Sequence, residues 1–306
     1  RSFNLDQIIH NSTVAARPRN AKNPTTSVTV VTKAPEAKAG STPAFSSATG
    51  ITVPASPATT RLITIAAAIT APSSGNLGRD AGEAAGLKDC GVKLTSDAHA
   101  ALDVCDVLID FSSPKAAIDT ALAMHGTRCK TFVTGTTGYT PTEEAALLKA
   151  GSDITLLKSG NFSLGVNMLE VLVELAADKL RTGWDIEVLE MHHRHKVDAP
   201  SGTALMLGEA AAKGRGVDLA ENQALSREGR GDPRPEGQIG FAALRGGGVI
   251  GQHEVRIASE LEMITLGHDA FDRSVFAQGA VTAAIWAAGK PKGLYDMKDV
   301  LGIKSL

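Results

Sequence analysis

From Trp184 to Met191 apolar and polar residues alternate. Ile186, Val188 and Glu190 would face one way and Glu187, Leu189 and Met191 the other, which predicts a strand with one buried face. Upstream the pattern changes. Leu62–Ile69 and Val104–Phe111 are nearly unbroken apolar runs, as expected of strands covered on both sides, and Thr131–Thr134 and Asp153–Leu157 are shorter examples. Helices are predicted between them. One runs from Pro114 to His125, with Pro at its first position and Gly126 closing it. The next opens on Thr140-Pro141-Thr142-Glu143, a capping box, and reaches about Ala150. Strand, helix, strand, helix, strand from Val104 to Leu157 predicts an α/β fold on a doubly wound parallel sheet.

Ser163 is placed to cap a long helix, Leu164 to Leu180, with Leu169, Leu172, Val173, Ala176 and Leu180 on one stripe. That helix leads into a second region, which holds the alternating strand and further strands at Ile239–Leu244, Val255–Ala258 and Met263–Leu266. A last helix, Ser274 to Ala288, follows. Residues 1–60 show only short β-prone pieces such as Ser27-Val28-Thr29-Val30-Val31-Thr32, and no helix-period pattern of useful length.

Composition narrows the class. A chain of 306 residues has room for one large or two ordinary domains, and aromatics at 4% make the core aliphatic. A net charge of −2 argues against general nucleic-acid binding. No apolar run approaches the roughly 20 residues needed to cross a bilayer. Cys90, Cys105 and Cys129 are odd in number and widely spaced; they suggest neither a disulfide framework nor a metal pattern, and fit a reducing cytoplasm.

The densest chemistry follows the alternating strand. His192 to Lys196 are all imidazole, guanidinium or ammonium side chains, a run that costs a fold energy if buried unpaired. Pro200 then breaks regular structure, and Ser201 is placed to cap a helix running to about Lys213. Free N–H groups of Gly202 and Thr203 would lie beside these cations, which makes an anion site suited to a carboxylate or phosphate. A solvated basic loop is the plain alternative. Metal binding is disfavoured, because His192 with His195, or His193 with Lys196, lacks partners at ligand spacing. Gly246 to Gly251 formally fits Gly-x-Gly-x-x-Gly, but a strand-like run follows it rather than a helix, so it is a decoy.

The run Glu190 to Ala204, Glu-Met-His-His-Arg-His-Lys-Val-Asp-Ala-Pro-Ser-Gly-Thr-Ala, resembles the signature of the 4-hydroxy-tetrahydrodipicolinate reductase (dihydrodipicolinate reductase) family. Gly135-Thr136-Thr137-Gly138, Asn161 to Asn167, Leu244 to Gly247 and Gly293 to Met297 resemble the same family. The likeness covers roughly Ile63 to Ile303. It implies a Rossmann-like dinucleotide-binding domain, 61–160 with 274–306, and an α+β domain for substrate binding and oligomerisation, 161–273. It implies NADH or NADPH as cofactor, held by Gly135, Thr136 and Thr137 and by Ser159, Gly160, Asn161 and Phe162, at the carboxyl ends of strands. By the same resemblance His192 is the acid/base and Lys196 the proton donor. His193 touches substrate, and Gly202 and Thr203 grip a carboxylate; Arg194, His195 and Asp198 are read, from the residues alone, as support for loop shape and charge. No metal is implied. The implied activity is reduction of 4-hydroxy-tetrahydrodipicolinate, with loss of water, in lysine and diaminopimelate biosynthesis by a cytoplasmic homotetramer.

The chain departs from that pattern at its start. Residues 1–60 hold 6 of the 13 prolines, only two glycines, Gly40 and Gly50, and 17 Ser or Thr. The family's Gly-x-x-Gly turn, where a pyrophosphate would meet a helix N-terminus, has no counterpart there. A basic, acid-poor transit peptide is one reading. The other treats the segment as irregular, the product of a shifted reading frame that rejoins near Arg61; sequencing the gene distinguishes them. Thr70 and Ala71 stand where the family often has a charged contact to the adenosine ribose, leaving NAD versus NADP open. Two rivals follow: a cofactor-defective, non-catalytic oligomeric member, and another reductase of the same architecture, such as an aspartate or homoserine dehydrogenase relative, against which the His192–Ala204 run speaks.

Overall fold

A computed structural model describes residues 29–33, as backbone, and 64–303. In chain order the elements are β1 (Thr29–Lys33), β2 (Thr64–Ile69), α1 (Ala81–Ala84), β3 (Leu94–Thr95), α2 (Ala98–Asp103), β4 (Val107–Asp110), α3 (Pro114–Ala123), β5 (Thr131–Thr134), α4 (Pro141–Ala150) and β6 (Thr155–Lys158). They continue with α5 (Leu164–Lys179), β7 (Asp185–His192), α6 (Gly202–Arg215), α7 (Leu219–Asn222), β8 (Gln223–Ala224), β9 (Ile239–Arg245), β10 (Gly251–Ala258), β11 (Met263–Ala270), α8 (Ser274–Ala287), β12 (Gly293–Tyr295) and α9 (Met297–Val300). Two units result. One contains the described residues up to Phe162 together with Phe276–Val300; the other contains Ser163–Val275 and the described residues from Leu301.

The first unit is a seven-stranded sheet in the order β12-β6-β5-β4-β1-β2-β3. β4, β5, β6 and β12 are parallel, as are β2 and β3. Every residue of β4 and β5 is buried, because helices cover both faces of a parallel sheet. Val107, Ile109, Val133 and Leu157 pack toward α8 on one face, and Leu108, Phe132 and Leu156 toward α3 and α4 on the other. The predicted caps are present. Pro114 opens α3 behind the Ser113 cap, and both arms of the Thr140–Glu143 box are made.

Residues 1–60 were expected to be irregular, and Thr29–Lys33 departs from this. It forms β1, inserted between β2 and β4 and antiparallel to both, with a bulge between Val31 and Thr32. The rest of that segment, with Leu62 and Ile63, lies outside the described residues. The Val104–Phe111 run is also shorter as a strand than expected: Val104 closes α2 and is 48% exposed, so β4 begins at Val107. A continuous apolar run does not mark where a strand starts.

The second unit is a five-stranded sheet, β11-β10-β7-β9-β8, carrying α5 and α6 on one face. On α5 the buried side is Val166, Leu169, Val173 and Ala177, whereas Leu172, expected on the stripe, is 41% exposed. β10 and β11 are longer than their apolar runs predicted, pairing in full from Gly251↔Ala270 to Ala258↔Met263.

Candidate active site

β7 alternates half-buried and buried residues without a break, so Ile186, Val188, Glu190 and His192 share the face against the helices. The first two join the apolar cluster of Leu169, Val173 and Leu207. Glu190 and His192 continue that face beyond it, as a carboxylate and an imidazole in a buried position. The Glu190 carboxylate is met from four sides. Arg245 donates through both terminal nitrogens, each at 2.8 Å, the Ser201 N–H donates at 3.1 Å, and His192 Nδ1 lies at 2.5 Å. Burial pushes the Glu190 carboxyl up, but the Arg245 and His192 hydrogen bonds outweigh it and hold it below its ordinary value.

The Gly246–Gly248 turn, which leads from β9 toward β10, clamps the cationic loop. Gly246 N–H donates to the His192 carbonyl at 2.9 Å and Arg194 N–H to the Gly247 carbonyl at 3.2 Å. Gly247 has φ 53°, a conformation that favours glycine. Arg245 also donates to the Asp198 carbonyl at 2.5 Å, so one guanidinium ties the strand to the loop. Lys196 Nζ donates to the two Asp198 carboxylate oxygens at 3.1 and 3.0 Å, with its side chain 10% exposed. Ser201 caps α6 by accepting from Ala204 N–H at 3.1 Å, and its Oγ lies 3.2 Å from His253 Nε2. Gly202 is exposed with no atom within 4 Å of a would-be Cβ, and Thr203 is half-buried beside it. The helix N-terminus therefore presents open backbone to an anion.

Three imidazoles are biased neutral. His192 is lowered chiefly by burial, with Glu190 opposing and Lys196 and Arg245 adding. His193 is lowered by burial and then by Arg273, whose guanidinium donates to His193 Nε2 at 3.0 Å. His253, packed edge-on against His192 with ring centroids 5.0 Å apart, is driven down to about 4 by burial and then by His192. Arg194 and His195 are exposed. Among the described residues no group of three His, Cys, Asp or Glu is placed to hold a metal.

The nucleotide-side residues lie in the first unit, at the carboxyl ends of β5 and β6. Gly135 N–H donates to the Asp110 carbonyl at 2.8 Å. Thr134 and Thr136 hydroxyls each donate to the buried Asp110 carboxylate at 2.8 Å; burial pushes this carboxyl up against those hydrogen bonds. Thr136 is thus committed to the loop itself, while Thr137 is exposed. A Cβ on Gly135 would collide with the Phe111 ring, so glycine is required there. Ser159 Oγ donates to the Asn161 carbonyl at 2.7 Å, and Gly160 is exposed with open space around it. Phe162 is 1% exposed, its ring set edge-on to Phe111 at 5.4 Å, so its side chain is a packing group rather than a ligand contact.

The cationic loop and its Ser201 helix cap were legible in the sequence; Glu190, Arg245, His253 and Arg273 were given no role of their own in this site. A signal existed for Glu190, since an acid on the inward face of an alternating strand needs a partner. Nothing local marks His253 or Arg273, which come from other strands and loops.

Residues 50–162 match a family model described as dihydrodipicolinate reductase, N-terminus, and residues 165–301 one described as dihydrodipicolinate reductase, C-terminus. A curated 4-hydroxy-tetrahydrodipicolinate reductase of Allorhizobium ampelinum is 54% identical over 78% of this chain and 88% of its own length. That of Rhizobium meliloti is 52% identical over 78% of this chain and 87% of its own. A solved dipicolinate-bound dihydrodipicolinate reductase from Paenisporosarcina sp. TG-14 superposes with TM-score 0.54 at 24% identity, covering 67% of this chain and 77% of that one.

Proposed function

This chain belongs to the dihydrodipicolinate reductase family, and from that membership we propose that it reduces 4-hydroxy-tetrahydrodipicolinate to tetrahydrodipicolinate, with loss of water, in lysine and diaminopimelate biosynthesis. The carrying observation is the cationic loop between β7 and α6, with His192 bonded to Glu190 and Lys196 bonded to Asp198 beside an open helix N-terminus.

NADH or NADPH, when bound, would supply the hydride that this reduction needs. The described residues suit the nicotinamide end of such a cofactor, since Gly160 offers open backbone and Thr137 an exposed side chain at the strand ends. They do not suit its pyrophosphate: β1 runs against its neighbours, and β2 is followed by a loop and the four-residue α1 rather than a glycine turn and a long helix. The chain's own residues bind two carboxylates and manage protons. Gly202 and Thr203 hold one carboxylate through backbone and hydroxyl, and His193 contacts the substrate. His192, an imidazole held near its neutral form, serves as acid/base, and the Lys196 ammonium donates a proton.

Assembly as a homotetramer fits the second unit, whose helix-free sheet face exposes Leu244 and Met263 and whose β11 is an edge strand. Three free thiols and the lack, among the described residues, of any helix long and apolar enough to cross a membrane agree with a cytoplasmic site. The test is NAD(P)H oxidation by this chain with freshly generated substrate. Substrate-dependent oxidation is expected; none, under conditions where calorimetry shows the cofactor bound, overturns the reading. A second reading, a cofactor-defective oligomeric member, draws on the reversed β1 and the missing glycine turn, and predicts no calorimetric binding of NADH or NADPH.

A further inference from the structure

Glu190 has a side chain 1% exposed and, as an ionised carboxylate, can only accept hydrogen bonds. Arg245 and the Ser201 N–H supply three of its donors. The fourth contact, His192 Nδ1 at 2.5 Å, therefore carries its hydrogen on Nδ1 in both the neutral and the protonated ring. The nitrogen that exchanges its proton is then Nε2, which has no hydrogen-bond partner among the described residues. What faces Nε2 is a glycine: a Cβ on Gly251 would lie 3.1 Å from it and 3.4 Å from His253 Cε1. The His253 ring cannot take that place, since its own Nε2 is engaged with Ser201 Oγ.

We propose that Glu190 is the positioning residue for His192, fixing the Nδ1–H tautomer so that Nε2 is the working nitrogen, and that Gly251 keeps the space at Nε2 open. This rests on the reading of His192 as the acid/base. The groups facing the imidazole are Glu190 on its own strand, Lys196 on the following loop, Arg245 on β9 and His253 on β10. Of these only the Glu190 carboxylate favours the charged ring, so its removal lowers the pH at which His192 titrates.

The test begins with 15N NMR of histidine-labelled protein without ligands, the His192 signal being assigned by its loss in His192→Asn. The Nδ1–H tautomer is expected; an Nε2–H tautomer overturns the proposal outright. Glu190→Gln should mix the tautomers, lower kcat by about 10²-fold with KM changed less than about threefold, and move the acid limb of the pH profile downward. Glu190→Asp, which keeps the charge, should recover part of the loss. Gly251→Ala should keep the Nδ1–H tautomer while lowering kcat, and it leaves the Arg245 partner intact should Glu190→Gln fail to fold. Unchanged turnover in Gly251→Ala, or an unchanged tautomer and acid limb in folded Glu190→Gln, overturns the proposal while His192→Ala remains inactive. A His192→Ala variant with full turnover instead overturns the reading of the site, and the proposal with it.

Discussion

His192 and Lys196 lie on one short loop, with Glu190 and Asp198 as their respective carboxylate partners. Replacing either with Ala should lower kcat by about 10²-fold or more, the usual scale for a positioned acid or base. Thr203→Val should act mainly on KM, because its position is at the open helix N-terminus rather than beside the imidazole. Steady-state kinetics separate the two patterns. His253 gives a pH prediction. Its pKa is about 4 in the fold and near 6.5 in a free chain, so the folded state holds fewer protons between those values. The contribution is fully present above about pH 6.5 and is lost as pH falls toward about 4, up to about 3 kcal/mol. His192 and His268 are lowered as well and act in the same sense. Urea unfolding of His253→Gln should show a flatter slope across that window than the parent chain. The cations of this site could be read in the sequence because they are contiguous. Their partners could not, since Arg245 and His253 reach His192 only once β9 and β10 flank β7.

At the scale of elements, β4, α3, β5, α4 and β6 were legible because each carried its own signal: apolar runs for the strands, Pro and cap residues for the helices. The short elements α1, α7 and α9 were not, since four residues hold barely one turn and show no period. β1 is the element with consequences for binding. It fills the slot between β2 and β4 but points the opposite way, so its carboxyl end is at the far edge from the loops of β5 and β6. Among the described residues nothing then brings a glycine turn and helix N-terminus to a pyrophosphate. Cofactor affinity should be weak for this chain, while a version with a restored strand, glycine turn and helix should bind NAD(P)H in the micromolar range, about −8 kcal/mol. Calorimetry on both versions tests this, and equal tight binding by the chain as written would refute it.

At the scale of the whole molecule the two units have separate sheets and separate apolar clusters. In the sequence, the apolar runs before Ser163 differ from the strict alternation in β7. What no periodicity reveals is association. The alternation leaves Glu187, Leu189 and Met191 half-buried on the side of β7 away from α5 and α6, and Leu244 and Met263 more than half exposed. A sheet face of that kind is expected to be covered by copies of the same chain, and light scattering should give a tetramer; a stable monomer at micromolar concentration would reject it.

The antiparallel pairing of β1 with β2 also fixes where the chain can change length. Lys33 and Thr64 are register partners, so the two positions that flank residues 34–63 are held side by side on the sheet. For a connection between two fixed, adjacent positions, the entropy of closure varies by only about 0.6 kcal/mol for each doubling of length. On that term alone, halving or doubling the connection between Lys33 and Thr64 should change the unfolding free energy by under about 1 kcal/mol. Measured unfolding free energies of the shortened and lengthened chains check this, and a larger change would show that the connection contributes more than its closure entropy.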